Sequence, residues 1–217
     1  SVSALSVNGT VIGIGPAVRD KLRAAGYGFD FSDPNVAAQT LAQVSDGPLT
    51  FGVPFPFSMH VELLRYWAEA TPLGRHGINV RTIPPPLMAN ALAAGEIDAF
   101  CVGEPWGSVA VETGAGALLL PCNAIWAFTP EKVLAVRTDW AETEPDLLGR
   151  LMRAIWKSGR WLSNPDVRAT ASDLLSRKAY LDVSAEIIDR SLSGHLTISA
   201  RGDQRQVDRF IEFHNGA

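Results

Sequence analysis

The chain has few cysteines and no long apolar run. Its 217 residues include only Cys101 and Cys122, which lie in different segments without CxxC spacing. Neither a disulfide framework nor a zinc site is therefore expected, and a single bridge between the two thiols stays an open alternative. A transmembrane helix needs a run of ~18 apolar residues, and residues 114–121 reach less than half of that length. We therefore expect no membrane span.

The chain also lacks a positive surplus. Its 19 lysines and arginines stand against 23 aspartates and glutamates, so the net charge is −4. Proteins that bind a phosphate backbone usually carry an excess of basic residues, so nucleic acid is not an expected partner. No charged segment followed by an apolar one marks a signal peptide. The composition alone leaves the compartment open.

Common catalytic motifs are absent as well. The sequence contains no Gly-x-Ser-x-Gly, no His-Glu-x-x-His and no Cys/His pair at a helix start. Each of these patterns would mark a nucleophile or a catalytic metal. We therefore expect a protein that is not an enzyme and that holds no cofactor.

The residues that are present predict an α/β fold with a helical C-terminal third. Residues 2–14 alternate weakly around an Asn8-Gly9 turn, which predicts a strand or a hairpin. Short apolar runs at 49–53, 78–83 and 97–102 then alternate with helical periods, as in βαβ units with a largely parallel sheet. The periodicity predicts further helices over 144–163, 165–176, 184–192 and 204–213.

Two proline-containing segments stand where a predicted strand ends and a helix begins. They are Pro-Pro-Pro at 84–86 and Phe-Cys-Val-Gly-Glu-Pro-Trp at 100–106. Open α/β sheets bind ligands at such positions. The same residues also fit a purely structural role, as two helices that begin with proline on either side of a buried strand. Without further evidence, this structural role is a better explanation of the two segments than ligand binding.

The second segment, however, resembles a known family. Together with His60 ahead of Arg-Tyr-Trp at 65–67 and Pro-Glu-Lys at 130–132, it is similar to the nitrate- and bicarbonate-binding proteins of ABC transporters and to related nitrate sensors. The likeness runs in order from about residue 5 to residue 213. It implies a periplasmic-binding-protein fold of the second type, in which two α/β lobes close on a small ligand.

The resemblance also implies a division of the chain. Residues 14–125 would form the central α/β lobe, lobe two. Residues 1–13 and 126–217 would form the crossover strands and the C-terminal helical part of lobe one. Family members carry a further stretch before the segment that resembles residues 3–13, so we expect lobe one to be incomplete and to expose apolar surface.

The family likeness indicates the anion contacts. Lys132 is the first candidate, because an ammonium offers a charge and three donors to a planar anion. His60 opens a helix, where free N–H groups and the dipole suit an anion. Asn8 corresponds to a polar side chain from the crossover strand. The turn before His60 adds Pro54, Phe55 and Ser58.

Gly103 and Glu104 complete the predicted site. A carboxylate beside a monoanion is repulsive unless it is satisfied locally. We therefore expect Glu104 to be structural and to accept hydrogen bonds from amides at a helix start. Bicarbonate-binding relatives use calcium, which needs six or more oxygen ligands. Asp98, Glu104 and Glu131 do not supply them, so no metal is expected.

These features predict a solute-binding protein that captures a small inorganic anion, nitrate or nitrite before bicarbonate, for the membrane subunits of an ABC transporter in the periplasm. The alternative is a nitrate or nitrite sensor that controls a regulatory protein in the cytoplasm. A third hypothesis is an enzyme of the thiamine-precursor type or a binder of another small organic ligand. Those fold relatives carry a cysteine-rich run that this chain lacks.

Overall fold

The structure, a computed structural model, describes residues 2–213. Strands and helices alternate in its first half, and helices dominate after residue 137. The strands are β1 (Ser3–Asn8), β2 (Thr10–Ile14), β3 (Leu49–Val53), β4 (Ile78–Thr82), β5 (Ala99–Gly103), β6 (Ala117–Pro121), β7 (Pro130–Leu134), β8 (His195–Thr197), β9 (Gln204–Gln206) and β10 (Ile211–Phe213). The helices are α1 (Pro16–Ala24), α2 (Pro34–Val44), α3 (Met59–Glu69), α4 (Pro72–His76), α5 (Met88–Ala93), α6 (Trp106–Glu112), α7 (Thr138–Thr143), α8 (Pro145–Leu162), α9 (Arg168–Ser176) and α10 (Ala185–Ser193).

The larger sheet has five strands in the order β4-β3-β5-β2-β6. Strand β3 runs parallel to β4 and β5, whereas β2 runs antiparallel to β5 and β6. Strands β2, β3, β5 and β6 are almost entirely buried, as expected for apolar strands in a sheet whose two faces are covered. The predicted α/β class is confirmed, with β2 as an antiparallel strand within the sheet.

The smaller sheet consists of β10, β1 and β7, and all its pairings are antiparallel. Asn8 and Gly9, at φ angles of 61° and 82°, carry the chain from β1 in this sheet to β2 in the larger one. The hairpin alternative for residues 2–14 is therefore wrong, because β1 and β2 belong to different sheets.

The chain passes from one sheet to the other early in its length. Residues 10–14 form β2, between β5 and β6 in the larger sheet. The change of sheet falls at Asn8-Gly9. The C-terminal region also reaches back: Leu196 belongs to the core of the larger sheet, and the Leu118 amide donates to the Ile198 carbonyl at 2.8 Å.

The predicted helix over 204–213 is wrong. The segment contains β9 and β10, separated by a turn. Val207, Phe210 and Ile211 are spaced as on a helical face, but Phe210 enters the core and β10 pairs with β1 at the other end of the chain. Long-range strand pairing outweighs a weak local preference here.

Helix α8 has an apolar face that the described residues leave partly open. No residue of the helix is buried. Its apolar side chains with the highest exposure are Leu147, Leu151, Met152, Trp156 and Trp161. Among residues 2–213, no helix is long and apolar enough to cross a bilayer.

Candidate functional site

His60 is the second residue of α3, at the end of the turn that follows β3. The side chain is buried, with 6% of the residue exposed, and neither ring nitrogen has a hydrogen-bond partner. Buried polar atoms without a partner are rare in proteins and call for an explanation, such as a ligand or a water molecule. His60 is therefore the strongest indication of a binding site.

Glu131 of β7 faces His60 from the smaller sheet. Its Oε1 lies 3.9 Å from His60 Nε2, and only 8% of its side chain is exposed. The Thr10 hydroxyl donates to Glu131 Oε2 at 3.5 Å. A Cβ added at Gly103 would lie 3.8 Å from Glu131 Oε1, so the backbone of Gly103 approaches the same carboxylate. We call Thr10, His60, Gly103 and Glu131 the His60–Glu131 site.

Lys132 lies at the edge of this site. Its side chain is two-thirds exposed, and its Nζ pairs with Glu131 Oε1. Successive residues of a strand face opposite sides, so Glu131 and Lys132 cannot both start toward the interior. The structure thus places Glu131 at the buried position, with the ammonium of Lys132 against its carboxylate.

The electrostatics of the site favour a neutral imidazole. Burial lowers the pKa of His60; the Glu131 carboxylate opposes this shift, and the Lys132 ammonium adds to it. A neutral imidazole offers one donor and one acceptor. A bound anion would stabilise the protonated ring and raise this pKa.

The turn before His60 contains the other predicted contacts of this region. The Ser58 hydroxyl donates to the Phe55 carbonyl at 2.7 Å, which fixes the turn. The rings of Phe55 and Phe57 meet edge-to-face at 5.7 Å, and both are largely exposed. Pro54 is partly buried. These residues shape the start of α3, from which His60 projects.

Asn8 is used by the backbone of the crossover segments. Its Nδ2 donates to the carbonyls of Ala127 and Arg209 at 3.2 and 3.0 Å, and its Oδ1 accepts from the Thr129 amide at 2.8 Å. The side chain therefore joins three segments that pass between the sheets. Both the Nδ2 and the Oδ1 of Asn8 are thus hydrogen-bonded to the backbone, and a contact of Asn8 with an anion stays a prediction.

Glu104 is buried beside α6 and α10. Its Oε2 accepts from the Ser108 amide at 3.0 Å and from the Ser191 hydroxyl at 3.2 Å. Burial raises its pKa to about 7, against the lowering effect of these hydrogen bonds and of Arg190. The hydrogen bond to an amide near a helix start matches the structural role expected for Glu104.

The described residues contain no cluster for a metal ion. Within residues 2–213, no three histidine, cysteine or acidic side chains stand close enough together to hold one. Asp98 is engaged elsewhere, accepting from the Thr50 amide at 2.8 Å.

The sequence alone does not point to Glu131 or Thr10 as members of the His60–Glu131 site. Glu131 stands in the same Pro-Glu-Lys motif as Lys132, and the family likeness drew attention to the lysine. The available signal was strand alternation across 130–134, which allows only one of the two residues to face the larger sheet. Thr10 carried no signal of its own.

Comparisons with known proteins agree with this architecture. The sequence model of the NMT1-like family matches residues 1–176. The bicarbonate transport ATP-binding protein CmpC of Synechocystis sp. is 37% identical over 150 residues, which are 68% of this chain and 22% of that protein. The nitrate/nitrite binding protein NrtA of Synechococcus elongatus is 30% identical over 177 residues, which are 81% of this chain and 39% of that protein. The chain thus spans less than half the length of either relative.

The crystal structure of the periplasmic nitrate-binding protein NrtA from Synechocystis PCC 6803 is similar in fold. The TM-score is 0.77 at 24% identity, and the match covers 96% of this chain and 52% of that one. At this identity the likeness shows the fold alone. It confirms the type II periplasmic-binding-protein architecture.

Proposed function

The chain belongs to the NMT1-like family, and from this premise we propose that it binds a small oxyanion at the His60–Glu131 site as the solute-binding part of an ABC import system. Nitrate and nitrite are the first candidates and bicarbonate is the next. The names of the relatives describe binding and transport. The observation that carries the proposal is a buried histidine with two unpartnered ring nitrogens beside the buried Glu131.

The site draws on both sheets, which suits capture by closure. Thr10, His60 and Gly103 belong to the larger sheet and its first helices, whereas Glu131 belongs to the smaller sheet. A ligand that contacts both sides stabilises the closed arrangement relative to the open one. We therefore keep two lobes as part of the proposal, with the change between them at Asn8-Gly9 and in the segment before β7.

The charges at the site predict how different anions bind. Glu131 repels a monoanion, but the Lys132 ammonium compensates its charge. Nitrate has no proton to donate, so its binding is expected to favour protonation of His60. Nitrate affinity should then rise as the pH falls. Bicarbonate carries a hydroxyl that can donate to Glu131, and it needs no proton on His60.

Calorimetric titration with nitrate, nitrite and bicarbonate tests this proposal. Glu131→Gln removes the carboxylate that would accept a hydrogen bond from the bicarbonate hydroxyl, so bicarbonate should lose more affinity than nitrate. Glu96→Gln is the matched control, because Glu96 pairs with Arg81 on the surface. Its affinities should equal those of the parent. Absence of binding heat with all three anions would contradict the proposal.

A sensor is the second candidate, and the match to an ATP-binding protein favours it. CmpC is named as an ATP-binding protein, so a segment similar to this chain occurs within a protein of that kind. In this alternative the chain binds its anion in the cytoplasm and controls a partner. A sensor should change the ATPase rate of a purified ABC ATPase when the anion is added, without membrane subunits. A binding protein for transport should have no such effect.

A further inference from the structure

The two cysteines meet in the larger lobe although they are 21 positions apart. Cys101 on β5 and Cys122 directly after β6 place their Sγ atoms 3.7 Å apart, and both residues are buried. A disulfide bond is about 1.7 Å shorter than this separation. The sequence spacing gave no indication of this proximity.

The sheet topology explains how the contact arises. Strand β2 lies between β5 and β6, with Ile12 opposite Cys101 and Val11 opposite Pro121. Residues 122–124 form a single 3-10 turn after β6, and there the Cys122 side chain meets Cys101. Because three buried strands fix this arrangement, the two sulfur atoms are held together by the fold.

We propose that Cys101 and Cys122 form an intrachain disulfide when the chain folds in the presence of a disulfide oxidant, either a small-molecule disulfide or a protein of the dithiol–disulfide class. One cysteine thiolate attacks a sulfur of the oxidant and releases its other sulfur as a thiolate. The second cysteine thiolate then attacks the mixed disulfide and releases the oxidant's remaining thiolate. The cysteines lose two protons and two electrons, and the oxidant leaves as the reduced dithiol or as two thiols.

The bridge is expected to form during folding, before the core around the two cysteines is fully packed. Both thiols are buried in the folded chain, and burial raises the pKa of the Cys101 thiol. Few thiolates are then available, and the oxidant does not reach them. The folded, reduced chain should therefore resist oxidation, whereas the refolding chain should take up the bridge.

The bridge would connect the two segments that lead into the His60–Glu131 site. Cys101 lies two residues before Gly103, and Cys122 begins the segment that continues to Glu131. Disulfides persist in oxidising compartments such as the periplasm, which is the compartment expected from the family likeness. The inference itself rests on the cysteines alone and holds whichever solute the site binds.

The experiment is refolding from urea in a glutathione redox buffer. Thiols are then counted in denaturant, and the intact mass is measured. The parent should show no free thiol and a mass about 2 Da below that of the reduced chain. Its urea midpoint should be higher than that of the same sample after reduction.

Cys101→Ala and Cys122→Ala are the matched variants. Each should retain one free thiol or carry one glutathione. Because neither variant can form an internal bridge, reduction should not lower its urea midpoint in the way expected for the parent. Two free thiols in the refolded parent would overturn the proposal. Two glutathione adducts in place of the internal bridge would overturn it as well. The thiol count of the parent decides the question even if a variant fails to fold.

Discussion

The five-stranded sheet and the smaller sheet with α8 both carry apolar side chains, but they bury them differently. Strand β6 is buried along its whole length, whereas α8 has no buried residue although leucine, methionine and tryptophan line one face. Apolar periodicity therefore shows which face is suited to burial. Periodicity alone does not show whether another element of the described residues, 2–213, covers that face.

The difference implies that stability is concentrated around the five-stranded sheet. Its core includes residues from β2 to β6 and accepts Leu196, Ile198 and Phe210 from the C-terminal region. Asn8, at the end of β1 in the smaller sheet, joins the crossover segments. The His60–Glu131 site lies where these two unequal parts meet.

Truncating one leucine in each region tests this comparison most strongly. Leu118 on β6 is fully buried, whereas Leu147 on α8 is 45% exposed. Leu118→Ala should lower the free energy of unfolding by about 2–5 kcal/mol, because it leaves a cavity. Leu147→Ala should cost below about 1 kcal/mol. Urea unfolding followed by circular dichroism measures both, and equal losses would refute the unequal distribution of stability.

The buried Glu104 makes the stability of the folded chain depend on pH. Its pKa rises from 4.5 to about 7 on folding, so between these values the folded chain holds a proton that the unfolded chain has released. The contribution of Glu104 to the free energy of unfolding should be greatest below pH 4.5 and should fall as the pH rises to about 7. The shift corresponds to about 3 kcal/mol.

Glu104→Gln should flatten that dependence, because the amide stays neutral at every pH. Unfolding free energies at pH 5 and pH 8 provide the measurement. Glu69→Gln, at an exposed position on α3, is the control and should keep the parent's slope. A Glu104→Gln variant with the same slope as the parent would show that Glu104 does not cause it.

A methyl group inside the larger sheet should have a smaller effect. A Cβ on Gly13 of β2 would lie 2.1 Å from the Phe100 ring, whereas Gly47 has no atom within 4 Å of such a Cβ. Gly13→Ala should cost about 1–3 kcal/mol through overpacking. Gly47→Ala should change stability by no more than about 0.5 kcal/mol. Thermal unfolding compares the two, and a neutral Gly13→Ala would show that the sheet yields easily.

Local pattern was enough to predict the central strands. The apolar runs before residue 125 are bounded by glycine and proline, so the predicted strands coincide closely with β3, β4 and β5. It failed at 204–213, where three apolar residues imitate a helix and the pairing partner, β1, lies about two hundred residues away. No local signal reports such a partner.

The site was predictable only in part for a related reason. His60 and Gly103 follow from the family likeness, and both approach Glu131 Oε1 in the structure. Whether Glu131 enters the site depends on which face of β7 meets the larger sheet. The partners of the Asn8 side chain depend on which backbone groups lie close to it. Both facts require the tertiary arrangement.

The most direct test of the central claim is to follow the imidazole rings by nitrogen–proton correlation spectroscopy during titration with nitrate and with bicarbonate. The chain has four histidines, so the spectrum is simple, and His60→Asn assigns the His60 signals. If His60 contacts the anion, its ring signals should shift on nitrate binding and its lowered pKa should rise, while His76 and His195 stay unchanged. An anion that binds by calorimetry without moving the His60 signals would contradict the claim.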